Sequence, residues 1–247
     1  MDLGIAGKTA LVTGGSSGLG LGVAQALAAE GVRVAVASRS NAKLGRAIES
    51  LPEDSVAFEA DLSHPEGAEA LMSRVNADFG PVDILVANAG GPPAGNYEQV
   101  GIADYRAALE QNLLAMLALC DGALGHMKEA GFGRVIAITS LWVKSPDLGL
   151  ILSNTARTGL TAYLKTIATE VARFGITVNS LLPGLHRTDR LMSLGGDPEQ
   201  MAKAVPAKAL GDAESFGKVA AFLASTHAWY LTGQAILVDG GVVRSVF

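Results

Sequence analysis

The residues with the clearest chemical potential form a glycine-rich turn near the start of the chain. It lies between a short apolar run and a helical pattern, and consists of Thr13, Gly14, Gly15, Ser16, Ser17, Gly18, Leu19 and Gly20. Glycines permit a sharp turn, a close approach of the backbone to a pyrophosphate, and tight packing of a helix on a strand. The following helix N-terminus offers free N–H groups and a positive dipole end. The turn therefore predicts a site for the phosphates of a dinucleotide.

A second candidate binding segment follows the next predicted strand and consists of Ser38, Arg39 and Ser40. A carboxylate at this place would hydrogen-bond a ribose 2′-hydroxyl and repel a 2′-phosphate. This chain has no acid there, and Arg39 can bind a phosphate through two hydrogen bonds, assisted by the serine hydroxyls. The segment predicts NADP(H) as the cofactor. The alternative for Arg39 is a solvated loop cation.

The elements that must position these residues alternate between short strands and longer helices. The strands are apolar on both faces, which is typical of a parallel sheet covered on both sides. Strands are predicted over 9–13, 32–37, 56–58, 84–87, 135–139, 177–182 and 235–238, and helices over 18–29, 41–50, 65–78, 102–130, 152–173 and 213–225. Ser63 with Glu66 predicts a capping box for the third helix, and Asp212 an N-cap for the last. The alternation predicts an α/β fold over 1–247, a single-domain Rossmann fold with a doubly wound seven-stranded parallel sheet and helices on both faces.

The composition excludes several classes of protein. Of the 247 residues, 49% are hydrophobic and 17% are charged, which excludes a disordered chain. A net charge of −5 without a Lys or Arg run argues against nucleic acid as a partner. Cys120 is the single cysteine, and the four histidines lack metal-ligand spacing, so we expect neither a disulfide nor a metal site.

The apolar runs of the sequence are too short to predict a membrane span. The longest, 113–120 and 135–143, fall well below the roughly 20 residues that a spanning helix needs. The segment 1–7 lacks the basic and apolar regions of a signal peptide. We therefore expect a soluble cytoplasmic protein that does not bind a membrane.

Further motifs occur in a fixed order along the chain. They are Asp61-Leu62 after the third strand, Asn88-Ala89-Gly90 after the fourth, Asn112 in the fourth helix, Ser140 after the fifth strand, Pro183-Gly184 with Thr188, and Thr232-Gly233 with Asp239-Gly240-Gly241. Together with the glycine-rich turn, this set resembles the classical short-chain dehydrogenases/reductases over essentially the whole chain. The resemblance implies the same Rossmann fold and a nicotinamide cofactor.

The resemblance also implies a role for each motif. Gly14, Gly18 and Gly20 would line the pyrophosphate. At the adenosine end it implies contacts from Ser16, Ser17 and Leu19 in the turn, Ser38, Arg39 and Ser40 at the ribose, and Asp61 and Leu62 at the adenine. At the other end it implies contacts from Asn88, Ala89 and Gly90 on the nicotinamide side, and from Pro183, Gly184 and Thr188 near the carboxamide or the phosphates. Arg157, discussed below, is a further implied contact.

The chain departs from the family pattern at the catalytic signature, which is a serine followed about a dozen residues later by Tyr-x-x-x-Lys. Alignment on Ser140 and on Pro183-Gly184 places Ser153 at the tyrosine position and Arg157 at the lysine position. None of the four tyrosines has a lysine four residues later. Arg157 can still hold ribose hydroxyls, but it cannot relay protons because its pKa exceeds about 12. Ser153 is a much weaker acid than a tyrosine, whose pKa is about 10.

Four other side chains are candidates to assist the chemistry. Ser140 can donate a hydrogen bond to a substrate oxygen, with packing at the strand end as its alternative role. Lys144 is an exposed loop residue or points into the site. His186 is a surface-loop residue or a titratable substrate contact. Asn112 supports a water chain in classical members, and here a structural role is favoured.

Three functions are compatible with these residues. The first is an NADP(H)-dependent oxidoreductase, similar to 3-oxoacyl reductases, with a non-classical proton donor and with Ser140, Ser153, Arg157 and Asn112 as catalytic residues. The second is a catalytically impaired nucleotide-binding protein or regulator. The third, halohydrin dehalogenase chemistry, is disfavoured because those enzymes replace the glycine-rich turn. The resemblance further implies a dimer or tetramer, and the irregular segment 185–211 is interpreted as a lid over a small-molecule substrate.

Overall fold

The computed structural model describes residues 1–193, 195 and 197–246. In this part of the chain seven strands form one parallel sheet in the order β3-β2-β1-β4-β5-β6-β7. The strands are β1 (Thr9–Thr13), β2 (Arg33–Ser38), β3 (Val56–Glu59), β4 (Ile84–Asn88), β5 (Gly133–Ile138), β6 (Ile176–Pro183) and β7 (Ala235–Val238). Successive strands are added on one side of β1 up to β3 and on the other side from β4 to β7, as in a doubly wound fold. The predicted fold class and all seven predicted strands are confirmed.

Helices connect successive strands. They are α1 (Gly18–Ala29), α2 (Asn41–Ile48), α3 (Pro65–Asp78), α4 (Ile102–Leu109), α5 (Ala115–Ala130), α6 (Ile151–Val171), α7 (Asp189–Ser193), α8 (Pro198–Ala204) and α9 (Ala213–Ala224). A π-helical segment, Glu110–Leu114, joins α4 to α5, so the predicted helix over 102–130 is continuous but contains one wider turn. Such turns often occur at functional sites because they change the direction of side chains.

The two faces of the sheet carry separate hydrophobic cores. Leu11 of β1 belongs to the core under α3, α5 and α6, whereas the adjacent Ala10 and Val12 belong to the core under α1 and α9. Gly22 of α1 and Gly217 of α9 let these two helices pack closely, because a Cβ on Gly22 would collide with the carbonyl oxygen of Ala213. This packing holds α1, and with it the glycine-rich turn, firmly against the sheet.

The helical stretch 102–130 is long and apolar enough to cross a membrane by length and composition alone. Charged residues divide this stretch, so it contains no long uninterrupted apolar run. In the fold, Met116, Leu119 and Met127 on this stretch are buried in the core beneath the sheet. Core packing therefore accounts for part of its apolar composition, since 44% of the apolar window is buried.

Cys120 is fully buried on α5. Burial, with a smaller contribution from Asp121, raises the pKa of its thiol to about 12. Because the thiolate is the reacting species, the raised pKa leaves a smaller thiolate fraction near pH 8 and lowers the reactivity of Cys120. We expect no modification by a disulfide reagent in native buffer and one modified thiol per chain in denaturant. Rapid modification of the native protein would contradict this placement.

Candidate functional site

A cavity of about 570 Å³ lies at the carboxyl ends of the parallel strands. Its walls come from the segments that follow β1 to β6, which meet on both sides of the point where the strand order reverses. Ligands of doubly wound sheets bind at this place because the connections on the two sides diverge and leave a crevice.

The glycine-rich turn forms one wall of the cavity and leads directly into α1. Gly14 and Gly18 have φ values of +59° and +55°, a conformation that favours glycine. The N-cap residue of α1, Ser17, makes no side-chain capping hydrogen bond, and the first turn of α1 contains no acidic residue. The N–H groups at this helix start are therefore left for a ligand, and the bare backbone suits a pyrophosphate.

Gly20 has a packing role that differs from its expected phosphate contact. A Cβ at Gly20 would collide with the carbonyl oxygen of Gly14, so glycine is needed where α1 passes close to β1. Gly20 is not among the described residues that line the cavity, whereas Gly14, Ser16, Ser17, Gly18 and Leu19 line it.

Hydrogen bonds fix the segment after β4 against the turn. The Thr13 hydroxyl donates to the Asn88 carbonyl at 2.8 Å and accepts from the Asn88 N–H at 2.8 Å. The Asn88 side chain donates to the Gly14 carbonyl at 3.5 Å, and the Gln111 amide donates to the Gly90 carbonyl at 3.0 Å. Asn88, Ala89 and Gly90 therefore line the cavity on a backbone that is tied from both sides.

The ends of β2 and β3 bring two cations to the cavity. Ser38, Arg39 and Ser40 line it, and the half-buried Lys43 on the first turn of α2 joins them. The Ser40 hydroxyl accepts from the Lys43 N–H at 3.4 Å and caps α2. Within the described residues, neither Arg39 nor Lys43 forms an ion pair with a carboxylate. Both charges remain available to a bound anion.

The segment after β3 completes this end of the cavity. Asp61, Leu62 and Ser63 line it, and the Asp61 carboxylate accepts from the Ser63 N–H at 3.1 Å. This local turn positions the half-buried Leu62, which lines the same cavity as Ser38 and Arg39.

Ser140 lies at the opposite end of the cavity, directly after β5. It is 9% exposed, and its hydroxyl oxygen accepts from the Trp142 N–H at 3.3 Å, which caps a short 3₁₀ turn, Leu141–Val143. The hydroxyl hydrogen has no acceptor among the described residues. Ser140 can therefore donate to an oxygen atom bound in the cavity.

Ser153 and Arg157 lie one turn apart on α6 and both line the cavity. The guanidinium of Arg157 donates to the Thr139 carbonyl and, at 3.2 Å, to the Ala89 carbonyl, and so bridges the ends of β5 and β4. These two carbonyls therefore compete with the expected ribose hydroxyls for the N–H groups of Arg157. The hydroxyl of Ser153, which is 8% exposed, forms no hydrogen bond to another described residue.

Asn112 is the predicted catalytic residue that the structure does not bring to the cavity. It lies on the π-helical segment with 2% of its surface exposed, and the described lining does not include it. Its side-chain nitrogen is buried and lacks a hydrogen-bond partner among the described residues. The adjacent Gln111 lines the cavity in its place.

Of the two loop candidates, His186 lines the cavity and Lys144 does not. Lys144 is exposed outside the lining. His186 is 7% exposed, with Nδ1 3.2 Å from the Gly184 carbonyl and its ring edge-on to Phe216, so the surface-loop interpretation of His186 is wrong. Burial lowers the pKa of His186, and the Gly184 carbonyl and Asp212 oppose this shift only in part. The imidazole is therefore neutral at pH 7.

The segment after β6 closes the remaining side of the cavity. Pro183, Gly184 and Thr188 line it, together with Leu185, Asp189 and Leu191 of the predicted lid, which were not singled out as site residues. The segment leaves and rejoins the fold at one place, because the Arg187 N–H donates to the Gly211 carbonyl at 2.8 Å and the Gly211 N–H to the Leu185 carbonyl at 2.9 Å. Residues 194 and 196 of the predicted lid over 185–211 lie outside the described residues.

Comparison with known proteins gives matches that span nearly the whole chain. A family profile described as Enoyl-(Acyl carrier protein) reductase matches residues 14–243. Nodulation protein G of Azospirillum brasilense is 35% identical over 241 residues, covering 95% of this chain and 98% of that protein. The 3-oxoacyl-(acyl-carrier-protein) reductase FabG of Escherichia coli is 34% identical over 237 residues, covering 96% and 97%.

A solved structure agrees closely in fold. The L-sorbose reductase from Gluconobacter frateurii, complexed with NADPH and L-sorbose, superposes with a TM-score of 0.94 at 31% identity and covers 100% of both chains. The fold, the matched profile and these similarities together show that the chain belongs to the short-chain dehydrogenase/reductase family of NAD(P)-dependent oxidoreductases.

Proposed function

We propose that the protein is an NADP(H)-dependent oxidoreductase that interconverts a carbonyl and an alcohol, with a non-classical route for the proton. One observation carries this proposal: a single cavity joins the glycine-rich turn to Ser140, Ser153 and Arg157. The reductases named above, one of them solved with NADPH, support the choice of reaction and cofactor.

The cofactor would extend along the cavity from β2 to β6. The bare backbone of the turn suits the pyrophosphate, and Arg39 and Lys43 suit a 2′-phosphate. Asp61 and Leu62 would flank the adenine, and the segments at Asn88 and Thr188 would contact the nicotinamide end. When bound, the reduced nicotinamide supplies a hydride.

The chain itself supplies binding for the reacting oxygen. The Ser140 hydroxyl donates a hydrogen bond to this oxygen. The Ser153 hydroxyl is the second donor, and it transfers a proton to the oxygen and regains one from water. Arg157 contributes a fixed positive charge that favours negative charge on this oxygen. His186 is not proposed as the donor, because burial lowers its pKa and its Nδ1 faces the Gly184 carbonyl.

Cofactor preference tests the proposal by direct binding. We expect NADPH to bind at least about 10-fold more tightly than NADH, because a charged hydrogen bond contributes about 1.5–3 kcal/mol. The double substitution Ser38→Asp/Arg39→Ser is expected to reverse this preference, since a carboxylate at the end of β2 repels the 2′-phosphate. Isothermal titration calorimetry measures both affinities.

The matched control for this test is Arg46→Ser. Arg46 lies on the same helix as Lys43, is exposed and donates to the Ala42 carbonyl, and the described cavity lining does not include it. It should leave the NADPH/NADH ratio unchanged. Tighter binding of NADH by the unchanged chain would contradict the cofactor proposal.

A catalytically impaired nucleotide-binding protein is the second candidate. The observation that favours it is Arg157, whose guanidinium is bonded to the carbonyls of Thr139 and Ala89 where the family pattern has a lysine. This candidate predicts NADPH binding without turnover of any carbonyl substrate. A carbonyl and alcohol screen on protein already shown to bind NADPH separates the two candidates.

We further propose a cytoplasmic homo-oligomer, dimer or tetramer, with 185–211 covering a small-molecule substrate. The exposed aromatic side chains of Trp229 and Tyr230, whose ring centroids lie 5.0 Å apart, support a subunit contact near β7. The net charge of −5 supports the expectation that nucleic acid is not a partner. Solution scattering measures the assembly.

A further inference from the structure

We infer that the substrate is an uncharged, predominantly apolar carbonyl compound, and that Trp142 determines this specificity. The inference rests on the proposed function and adds the class of substrate. At the end of the cavity beyond Asn88 and Gly90, the walls carry six apolar side chains: Pro92, Leu141, Trp142, Leu150, Leu185 and Leu191. Apolar walls bind apolar groups by removing both surfaces from water.

The polar groups at this end are mostly committed to the backbone. Arg157 donates to the carbonyls of Thr139 and Ala89, and Gln111 donates to the carbonyl of Gly90. His186 lies against the carbonyl of Gly184. A substrate with many hydroxyl groups would therefore leave several of them without partners. Each such buried group weakens binding, because it loses its hydrogen bonds to water.

Apart from Thr188, which is proposed to contact the nicotinamide end, two hydroxyl groups of the described lining at this end remain for the substrate, those of Ser140 and Ser153. Two donors suit the two lone pairs of a single carbonyl oxygen. Asp189 is the one carboxylate at this end among the described lining residues, and it disfavours an anionic substrate. Of the cations that line the cavity, Arg39 and Lys43 lie at the other end, by Ser38 and Asp61, and the guanidinium of Arg157 at this end is bonded to the carbonyls of Thr139 and Ala89. The substrate end therefore favours a neutral compound with one carbonyl group.

Trp142 is placed beside the expected position of that carbonyl. Its backbone N–H donates to the Ser140 hydroxyl oxygen at 3.3 Å, so both residues belong to one short turn. Its half-buried side chain lines the cavity. A tryptophan provides a large, rigid apolar surface. A group attached to a carbonyl bound at Ser140 would lie against this surface.

Tryptophan fluorescence gives a readout that does not depend on turnover. The chain has two tryptophans, and Trp229 is 67% exposed and outside the described lining, so Trp229→Phe leaves Trp142 as the single emitter. Titration of this variant with NADP⁺ tests the proposed function. Titration with 2-octanone, 7-oxooctanoate and fructose, with and without NADP⁺, tests the substrate class.

We expect 2-octanone to change the Trp142 emission and to bind at least about 10-fold more tightly than 7-oxooctanoate, a difference of about 1.4 kcal/mol. The two ketones differ only in the terminal carboxylate. Calorimetry on Trp142→Ala in the otherwise unchanged chain should show about 10-fold weaker binding of 2-octanone, while NADP⁺ binds within a factor of two. Trp142→Phe should restore most of the affinity for 2-octanone.

The outcomes separate the two proposals. Failure of NADP⁺ to bind overturns the proposed function, whereas the order of ketone affinities is still measured without cofactor. Binding of 7-oxooctanoate or fructose as tight as that of 2-octanone overturns the substrate class. The substrate class is also overturned if none of the three compounds binds. It is overturned as well if the Trp142→Ala variant binds 2-octanone as tightly as the unchanged chain does.

Discussion

Replacing Ser153 by tyrosine and Arg157 by lysine in one variant is expected to raise NADPH-dependent carbonyl reduction by about 100-fold or more. A positioned general acid contributes about 10²–10⁴-fold, and its pKa must lie near the working pH. Ser153 on α6 and Ser140 line the same cavity, and we expect a phenol group at 153 to reach an oxygen held by Ser140. A lysine at 157 would lower the pKa of this phenol through its positive charge.

Arg157 must be replaced together with Ser153 because arginine and lysine act differently. Arginine keeps its proton at every working pH, so it stabilises charge but does not take part in a proton relay. Its guanidinium bonds also tie Thr139 and Ala89, and one ammonium group cannot reproduce this bridge fully. We therefore expect a somewhat lower melting temperature for the double variant, with NADPH binding retained.

The matched control is Ser153→Phe/Arg157→Lys, which introduces nearly the same volume without the hydroxyl group. Single-turnover rates with a panel of ketones at saturating NADPH compare the two variants and the unchanged chain. A tyrosine variant no faster than the phenylalanine variant, with equal NADPH affinity, would show that the missing acid does not limit this site. That result would favour a nucleotide-binding role.

The sheet and its binding edge are predictable from the sequence for a clear physical reason. The central strands are buried on both faces, so runs such as 10–12 and 84–87 must be apolar throughout, and this pattern is readable without tertiary information. Their carboxyl ends must meet at one edge of a parallel sheet. The glycine-rich turn and Arg39 follow two of these strands, and their meeting in one cavity follows from the topology.

Helix boundaries depend more on tertiary contacts. Asp212 caps α9 as predicted, since its carboxylate accepts from the Ser215 N–H at 2.7 Å. The predicted capping box of Ser63 and Glu66 is wrong: α3 is preceded by His64 as its N-cap and has no side-chain capping bond. The His64 side chain instead pairs with Glu110 on the π-helical segment, a contact between distant parts of the sequence.

The direction of individual side chains explains most differences between the predicted site residues and the residues that line the cavity. Lys43 could have been found, because it lies three residues after the cap residue Ser40 on the first turn of α2. Trp142 and His186 lie in irregular segments, where sequence spacing does not determine which side chains face inward. Asn112 is directed by a π-helical turn, which a regular helical period does not represent.

Replacing Arg134 by methionine is expected to lower the free energy of unfolding by about 3 kcal/mol or more. Arg134 is the second residue of β5, is 2% exposed, and has no carboxylate partner among the described residues. Its guanidinium donates to the carbonyls of Ser225, at the end of α9, and of Gly133 and Gly175. Burial lowers the pKa of Arg134 to about 10, so it remains charged at pH 7.

The cost arises because methionine fills similar space but donates no hydrogen bond. The buried carbonyl of Ser225 would be left with one partner fewer, the carbonyl of Gly175 would also lose this donor, and the negative dipole end of α9 would lose its cation. The arginine side chain also lies 4.3 Å from the ring centroid of Phe132, a contact that adds a smaller cation–π contribution. The destabilisation should appear as a lower urea midpoint with an unchanged slope.

Arg33→Met provides the matched control, because Arg33 is also an arginine at the start of a central strand and lies 4.8 Å from the ring centroid of Phe79. Arg33 is exposed, so its replacement should cost less than about 1 kcal/mol. Both variants must be compared at one protein concentration, since assembly of subunits stabilises the folded chain. Equal urea midpoints for the two variants would contradict a stabilising role for Arg134, and a selective loss for Arg134→Met would support that role.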